Sequence, residues 1–173
     1  MITKVSEWLG VVLLAGSVAG CGILPDSDDP AGELSGDWRI EREWSESVGD
    51  GVHAEGDALV PVVDAGEVLT VDRDGRLEAH TADSGDRLWR MDLDLPASAG
   101  PAADDRLIVV GGRDGRVIAL ERSTRSTIWT FQASSEVLAR PLLMDRTVVV
   151  MSQDGRVYGL RPDTGALRWV HDR

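Results

Sequence analysis

The sequence has few of the residues that build most small catalytic and binding sites. Among its 173 residues is one cysteine, Cys21, so no disulfide can form within the chain. Lys4 is the only lysine, and 30 acidic residues against 18 basic ones give a net charge of -12. No basic stripe is present, which argues against a nucleic-acid partner. His53, His80 and His171 lack the spacing of metal ligands, so we predict no metal site.

The sequence also lacks a hydrophobic run long enough to cross a bilayer. The longest run, residues 9–19, has the length of a signal-peptide core. It ends in VAGC at residues 18–21, which resembles the lipobox of bacterial lipoproteins: an aliphatic residue, two small residues and the cysteine that is lipidated. We therefore predict a signal peptide over residues 1–20 and a lipid anchor on Cys21.

The segment after the signal peptide, residues 21–37, is rich in Asp, Pro and Gly. It has too little apolar surface to fold, so it is predicted to be a flexible tether. Gly22 stands where lipoproteins held in the inner membrane usually carry Asp. That resemblance implies a location on the periplasmic face of the outer membrane, where more than one acyl chain is needed for stable anchoring.

What the sequence does contain is a repeat of 40 residues. The tripeptide Asp-Gly-Arg begins at positions 74, 114 and 154, and a proline recurs at positions 61, 101 and 141. Three marks with one period indicate a repeat protein, and the period is near that of propeller blades or helical arrays. The candidate structural residues of the repeat are Gly75, Gly115 and Gly155 in the turns, with Trp44, Trp89, Trp129 and Trp169.

Each repeat has four short runs rich in Val and Ile, separated by turn residues, which is typical of strands. No window has the three-and-four spacing of a helix. Asp-Gly between two apolar runs predicts a hairpin, because glycine takes the positive φ of a tight turn without strain. The sequence thus predicts an all-β fold, a partial β-propeller of four-stranded antiparallel blades.

The predicted blades are residues 53–93, 98–133 and 134–173. Residues 38–48, WRIEREWSESV, alternate in a strand-like way and are predicted to complete the closing blade of a ring, whose other strands are absent. Closed propellers usually have about 4–8 blades. We therefore expect the chain to be a truncated piece of a longer protein; the alternative is a ring completed by several chains.

The recurring tryptophans are predicted to pack between neighbouring sheets, since one sheet cannot bury its faces alone. The alternative, stacking on a ligand, is less favoured because the tryptophan recurs in every repeat while a ligand site would be singular.

The pattern Asp-Gly-Arg-Val-x-Ala/Gly-Leu-x-x-x-Thr-Gly-x-x-x-Trp resembles the tryptophan-docking repeat of quinoprotein-type eight-bladed propellers. Residues 154–169, DGRVYGLRPDTGALRW, fit it best. The first copy has His80 where leucine is usual. The second has Arg125 in place of glycine, for which we predict a last turn that is distorted or adopts another geometry.

Together with the lipobox, the chain is similar to the BamB family, the propeller lipoproteins of the outer-membrane β-barrel assembly machine. The resemblance is carried by residues 44–49, 79–89 and 136–141. It implies three blades of an expected eight. It also implies a scaffold that binds the periplasmic domains of the central barrel-assembly protein and aids the folding and insertion of unfolded outer-membrane proteins. The family's main partner contacts follow the third blade, so no contact residue is assigned.

Two other functions remain open at this point. Quinoprotein dehydrogenases share the repeat, but they need a quinone, a calcium ion and often a vicinal cysteine pair. Asp72 and Asp74 superficially resemble paired carboxylates, although a solvated hairpin turn explains them as well, and no nucleophile is set up. We predict no enzyme and no cofactor. A different membrane-anchored propeller binding module would share every feature above, because fold alone does not specify function.

Overall fold

The computed structural model describes residues 41–49 and 59–172. These residues form β-strands joined by turns, and nothing in the described ranges is a helix that could span a membrane. The predicted signal peptide, Cys21 and the predicted tether up to residue 37 lie outside the described residues.

The strands form three four-stranded antiparallel sheets, and within each sheet the strands follow chain order. Sheet 1 consists of β1–β4, sheet 2 of β5–β8 and sheet 3 of β9–β12. The prediction of three four-stranded antiparallel blades is confirmed. The bounds are β1 (Val62–Asp64), β2 (Glu67–Val71), β3 (Arg76–Thr81), β4 (Arg87–Asp92), β5 (Ala97–Ala103), β6 (Leu107–Gly112), β7 (Arg116–Glu121), β8 (Thr127–Gln132), β9 (Leu142–Met144), β10 (Thr147–Met151), β11 (Val157–Leu160) and β12 (Leu167–His171).

The Asp-Gly turn between β2 and β3 is fixed by its own aspartate. Asp72 Oδ1 accepts hydrogen bonds from the main-chain N–H of Asp74 at 3.0 Å and of Arg76 at 2.8 Å. Gly75 has φ = +86°, which glycine adopts without strain. A Cβ on Gly75 would lie 2.3 Å from the carbonyl oxygen of Leu95, so the turn packs against the connection to sheet 2. The sequence predicts a solvated turn, but Asp72 is only 7% exposed, because its carboxylate points inward onto backbone donors.

A register shift occurs at the same place in each sheet, within the third strand where it pairs with the fourth. The irregularity lies between Ala79 and His80 in sheet 1 and at the equivalent position of the other two sheets. It places a small residue directly across from each tryptophan of the fourth strand. The cross-strand pairs are Ala79 with Trp89, Ala119 with Trp129 and Gly159 with Trp169.

Two hydrophobic clusters join the sheets face to face. The cluster between sheets 1 and 2 includes Leu69, Leu77, Ala79, Ile108, Val110, Ile118 and Leu120. The cluster between sheets 2 and 3 includes Val109, Val117, Ala119, Trp129, Val148, Val150, Tyr158 and Leu160. Burying one large aliphatic side chain contributes about 1.5–3 kcal/mol. The middle sheet buries both of its faces in this way, which is the stacking that a repeat of sheets requires.

The sheets converge along their first strands. β5 contacts β1 on one side and β9 on the other. The fourth strands form the outer rim, and the residues of β12 are all exposed. Inner strands side by side with exposed outer strands are the arrangement of propeller blades around an axis.

The predicted closing strand at residues 38–48 is not present as a strand in its described part. Residues 41–48 have no strand pairing. A strand exists only where a neighbour exchanges backbone hydrogen bonds with it, and none of the described strands pairs with this segment. The segment is instead attached to sheet 1 through a side chain, described below.

The junction between sheets 1 and 2 is also held by an arginine clamp. Arg122, in the turn after β7, donates through Nη1 to Asp64 Oδ2 and, at 2.6 Å, to the carbonyl oxygen of Asp104. Its Nη2 donates to Glu67 Oε2 at 2.9 Å. Burial by itself lowers the pKa of the guanidinium, but the hydrogen bonds and charges of Asp64 and Glu67 outweigh it and raise the pKa of Arg122. The arginine therefore stays charged and links the β1–β2 hairpin of sheet 1 to the β5–β6 hairpin of sheet 2.

We expect Arg122→Ala to lower the free energy of unfolding by about 2 kcal/mol, because hydrogen bonds between charged groups are lost from a side chain that is largely buried. Urea denaturation followed by tryptophan fluorescence measures the change. Arg90→Ala, at an exposed site on β4, is the matched control and should change stability by less than about 0.5 kcal/mol. Equal effects of the two substitutions would contradict a specific role for the clamp.

Candidate functional site: the tryptophan junctions and the polar face of sheet 1

Trp129 joins sheet 2 to sheet 3 by packing on a turn. The side chain is 6% exposed and its Nε1 donates a 2.8 Å hydrogen bond to the carbonyl oxygen of Pro162. Its ring lies over Gly165, where a Cβ would come within 2.7 Å of the indole. Gly165 has φ = +67° and is the glycine of the Thr-Gly pair in the repeat pattern. The tryptophan of one repeat and the glycine of the next are therefore two halves of one contact.

Trp44 makes the same contact on sheet 1. Its Nε1 donates to the carbonyl oxygen of Ala82 at 2.8 Å, and its ring covers Gly85, where a Cβ would lie 2.6 Å away. Ala82 and Gly85 stand two periods of 40 residues before Pro162 and Gly165, the residues that Trp129 contacts. The segment 41–49 thus occupies the position of a preceding fourth strand without pairing as one.

Trp89 meets the one turn whose glycine is replaced. The prediction of a distorted turn at Arg125 is wrong: Arg125 keeps the left-handed conformation with φ = +61°, and its N–H donates to the carbonyl of Glu121 at 2.7 Å. Gly85 and Gly165 make the equivalent bond. The strain of a non-glycine residue there is about 1–2 kcal/mol. It is partly offset because the Arg125 guanidinium carbon lies 5.4 Å from the centroid of the Trp89 ring, a cation–π contact.

Trp169 differs from the other three. It is 44% exposed and its ring covers Gly159 of its own sheet, where a Cβ would lie 2.1 Å away. The prediction that each tryptophan packs between sheets is not met here, because no described turn lies beyond β12 to receive the ring. Leu142 shares this face, since the register pairs Leu142, Val149, Gly159 and Trp169 across the sheet. The exposed face of sheet 3 is therefore apolar.

The face of sheet 1 that points away from sheet 2 has a different chemistry. Thr70, Glu78 and His80 are 8%, 5% and 4% exposed, and all three are polar. The residues one and two periods later face the preceding sheet and are apolar or aromatic: Val110, Ile118 and Leu120 in sheet 2, and Val150, Tyr158 and Leu160 in sheet 3. The repeat pattern marks only His80 as a departure; the whole polar row becomes visible when the three copies are compared position by position.

His80 connects this polar row to the turn that receives Trp44. Its Nδ1 lies 2.9 Å from the carbonyl oxygen of Gly85, which can only accept, so Nδ1 carries the hydrogen. Its Nε2 lies 3.2 Å from Glu78 Oε2. The hydroxyl oxygen of Thr70 is buried without a hydrogen-bond partner in the described part of the chain. The row is thus tied to the same glycine on which the indole of Trp44 rests.

A surface depression lies over the polar row. Segment 41–49 contributes Glu46, Ser47 and Gly49 to its wall, and sheet 1 contributes Arg76, Arg87 and Arg90. In a chain of net charge -12 this is a local concentration of positive charge facing a segment that carries glutamates. The depression thus brings these three arginines, together with Glu78, near Glu46 of the segment that carries Trp44.

The Asp-Gly-Arg turns serve structural contacts in all three sheets. Gly115 and Gly155 have φ = +80° and +88°, like Gly75. In sheet 3, the Ser134 hydroxyl donates to Asp154 Oδ2 at 2.5 Å and lies 2.6 Å from the Tyr158 hydroxyl. The hydrogen bond from Ser134, then that from Ser152, lowers the pKa of Asp154. Within residues 41–49 and 59–172, no group of three or more potential ligands is arranged to hold a metal ion.

The sequence of the repeats that carry these tryptophans matches a known family. A family model described as outer membrane protein assembly factor BamB matches residues 73–173, which is more than half of the chain. The chain belongs to the BamB family.

Two BamB relatives, both named outer membrane protein assembly factor, are similar in sequence. The protein of Alkalilimnicola ehrlichii is 42% identical over 95 residues, covering 55% of this chain and 24% of the relative. That of Pseudomonas aeruginosa is 36% identical over 111 residues, covering 61% and 29%.

Solved structures agree on the fold. The crystal structure of BamB from Moraxella catarrhalis superimposes with a TM-score of 0.61 at 22% identity, over 70% of this chain and 37% of that one. The computationally designed protein Ika8 has a TM-score of 0.58 at 21% identity, over 65% and 35%. The chain spans only about a quarter to a third of the length of the BamB relatives that it matches in sequence.

The two tryptophans of sheets 2 and 3 give a matched pair of substitutions. Trp129→Ala should lower the free energy of unfolding by about 3–5 kcal/mol, because it empties a buried site and removes the hydrogen bond to Pro162. Trp169→Ala, at an exposed ring, should cost less than about 1 kcal/mol. Urea titration followed by circular dichroism measures both values. Similar losses for the two variants would contradict the docking of Trp129 as the contact that joins the sheets.

Proposed function

We propose that the protein acts as a lipid-anchored, non-catalytic scaffold on the periplasmic face of the outer membrane, in the assembly of outer-membrane β-barrel proteins. The observation that carries the proposal is the family match over residues 73–173, together with two relatives that are both named assembly factors. Its partners are the periplasmic domains of the central barrel-assembly protein and unfolded outer-membrane proteins. No cofactor takes part.

The arrangement of the carboxylates supports binding rather than catalysis. The carboxylate oxygens of Asp72 accept hydrogen bonds from the main chain of its own turn and from the side chain of Arg76. Asp154 is held by the hydroxyls of Ser134 and Ser152. A carboxyl group that acts as a general acid or base must lie within reach of a substrate proton, and these two carboxyl groups already hold turns in place. This favours the scaffold over a quinoprotein dehydrogenase.

The exposed apolar face of sheet 3 and the charged face of sheet 1 are surfaces suited to protein contacts. Exposed apolar patches rimmed by polar residues mark interaction sites. The proposed repeating units remain residues 53–93, 98–133 and 134–173, with residues 38–48 attached through Trp44.

Partner capture tests the scaffold role. The tagged, lipidated chain is purified from detergent-solubilised outer membranes, and co-purifying proteins are identified by mass spectrometry. We expect the central barrel-assembly protein to be enriched over a control in which the same residues 1–37 carry an unrelated soluble domain. Enrichment of a different envelope protein would instead favour another anchored binding module. Failure to enrich any protein would contradict the proposed role.

Lipidation at Cys21 gives a second test. Cys21→Ser should abolish incorporation of labelled palmitate and release the protein from the membrane fraction, since no thiol remains to be acylated. Gly22→Asp is the matched control, because it should keep the palmitate but move the protein to the inner membrane. Membrane retention and labelling of the Cys21→Ser variant would exclude the proposed anchor.

A further inference from the structure

The clamp that joins sheets 1 and 2 is missing from the next junction. One period of 40 residues after Arg122 lies Pro162, whose side chain has no donor. Arg122 contacts the carboxylate of Asp64 and the main-chain carbonyl of Asp104. By the same period, the equivalent acceptors between sheets 2 and 3 are the carboxylate of Asp104 and the carbonyl of Met144. Both of these acceptors are present, but the arginine is not, and Leu107 stands one period after Glu67, the second carboxylate of the clamp.

A cavity of about 340 Å³ lies where that arginine would be. It is formed by the β5–β6 hairpin of sheet 2, the β9–β10 hairpin of sheet 3 and Pro162. Its lining combines apolar side chains with carboxylates: Leu107, Leu143, Met144, Asp104, Asp105 and Asp145. An arginine side chain has the same two-part chemistry, an apolar stem and a charged planar head. The cavity therefore matches an arginine in position as well as in chemistry.

Only one carboxylate oxygen of Asp104 takes part in the hydrogen bonds of its own hairpin, so the other can bind an arginine side chain. Its Oδ1 accepts the main-chain N–H of Arg106 at 2.8 Å and of Leu107 at 2.7 Å. In the described ranges no donor reaches its Oδ2. The corresponding oxygen of Asp64 is the one that receives Arg122. One carboxylate oxygen shapes the hairpin and the other is left for a ligand.

We propose that this cavity is an acceptor site for an arginine side chain supplied by a partner polypeptide. The guanidinium would bind the carboxylate of Asp104 and a main-chain carbonyl of the sheet 3 hairpin, as Arg122 does one junction earlier. Arg106 also lines the cavity, and Arg146 and Arg161 line the adjoining depression. Their charges oppose the entry of a cation. Occupancy therefore depends on directed hydrogen bonds, which favours the forked guanidinium over a lysine ammonium.

The binding test uses the ¹⁵N-labelled full chain and Nα-acetyl-arginine-N-methylamide as the probe. Amide chemical shifts of the two hairpins, residues 104–107 and 144–147, should move in a saturable way. The lysine analogue should bind about fivefold more weakly, because it lacks the fork. The citrulline analogue, which has the same shape without the charge, should produce no shift. Equal shifts from citrulline, or an absence of shifts at these hairpins, would overturn the proposal.

Two substitutions test the position of the site. Asp104→Asn should weaken binding about tenfold, because a charge-assisted hydrogen bond is lost. Pro162→Arg places the missing arginine in the chain itself, and it should abolish probe binding and raise the melting temperature. Pro162→Ala is the matched control and should bind the probe like the unmodified protein. Undiminished binding to the Pro162→Arg variant would contradict the assigned site even if the Asp104 variant folds poorly.

A second copy of this chain is the other source of arginine. Sedimentation of the unmodified protein and of the Pro162→Arg variant over a range of concentrations distinguishes a second copy from a separate partner. We expect that Pro162→Arg does not reduce self-association. Self-association that this substitution abolishes would show that a second copy fills the cavity and would overturn the proposal of a separate partner. None of these measurements needs the barrel-assembly machine, so their failure is distinguishable from failure of the proposed function.

Discussion

A four-stranded sheet has two faces and cannot bury either one alone, and this constraint governs the described structure. The solution is the contact between an indole and the turn of the following sheet. At Gly165 and Gly85 the ring lies where a Cβ would be, so these turns require glycine, which also takes their left-handed conformation without strain. Trp129 on Gly165 and Trp44 on Gly85 satisfy this geometry with the same hydrogen bond from Nε1. The aliphatic clusters then fill the space that the docked rings define.

The junctions share this contact but differ in what surrounds it. Between sheets 1 and 2, Arg125 replaces the glycine and Arg122 ties the β1–β2 and β5–β6 hairpins together. Between sheets 2 and 3 the glycine is present, and a cavity separates the β5–β6 and β9–β10 hairpins. The outward face of sheet 1 buries Glu78 and His80 in place of apolar residues. Buried polar groups cost stability relative to apolar ones of similar size. Each junction is therefore chemically distinct, although the backbone repeats.

Several parts of this architecture follow from local patterns. The 40-residue period and the Asp-Gly turns predict the number of strands and their antiparallel order, because hairpin geometry depends on residues close together in the chain. The geometry at Arg125 was mispredicted, since glycine is the residue expected at positive φ and the compensating ring of Trp89 comes from another sheet. The burial of Asp72 was missed for a similar reason: Gly49, from the separate segment 41–49, packs against its side chain.

The sequence by itself determined the all-β repeat, the turn positions, the tryptophan of each fourth strand and the family. These depend on periodicity and on residue types at fixed spacing, both of which are properties of the chain alone. Tertiary structure decided which turn each indole contacts, which face of sheet 1 buries its polar row, and which junction between sheets is clamped by an arginine. Those outcomes depend on which surfaces face one another, and residues 40 apart in the chain become neighbours only when the sheets stack.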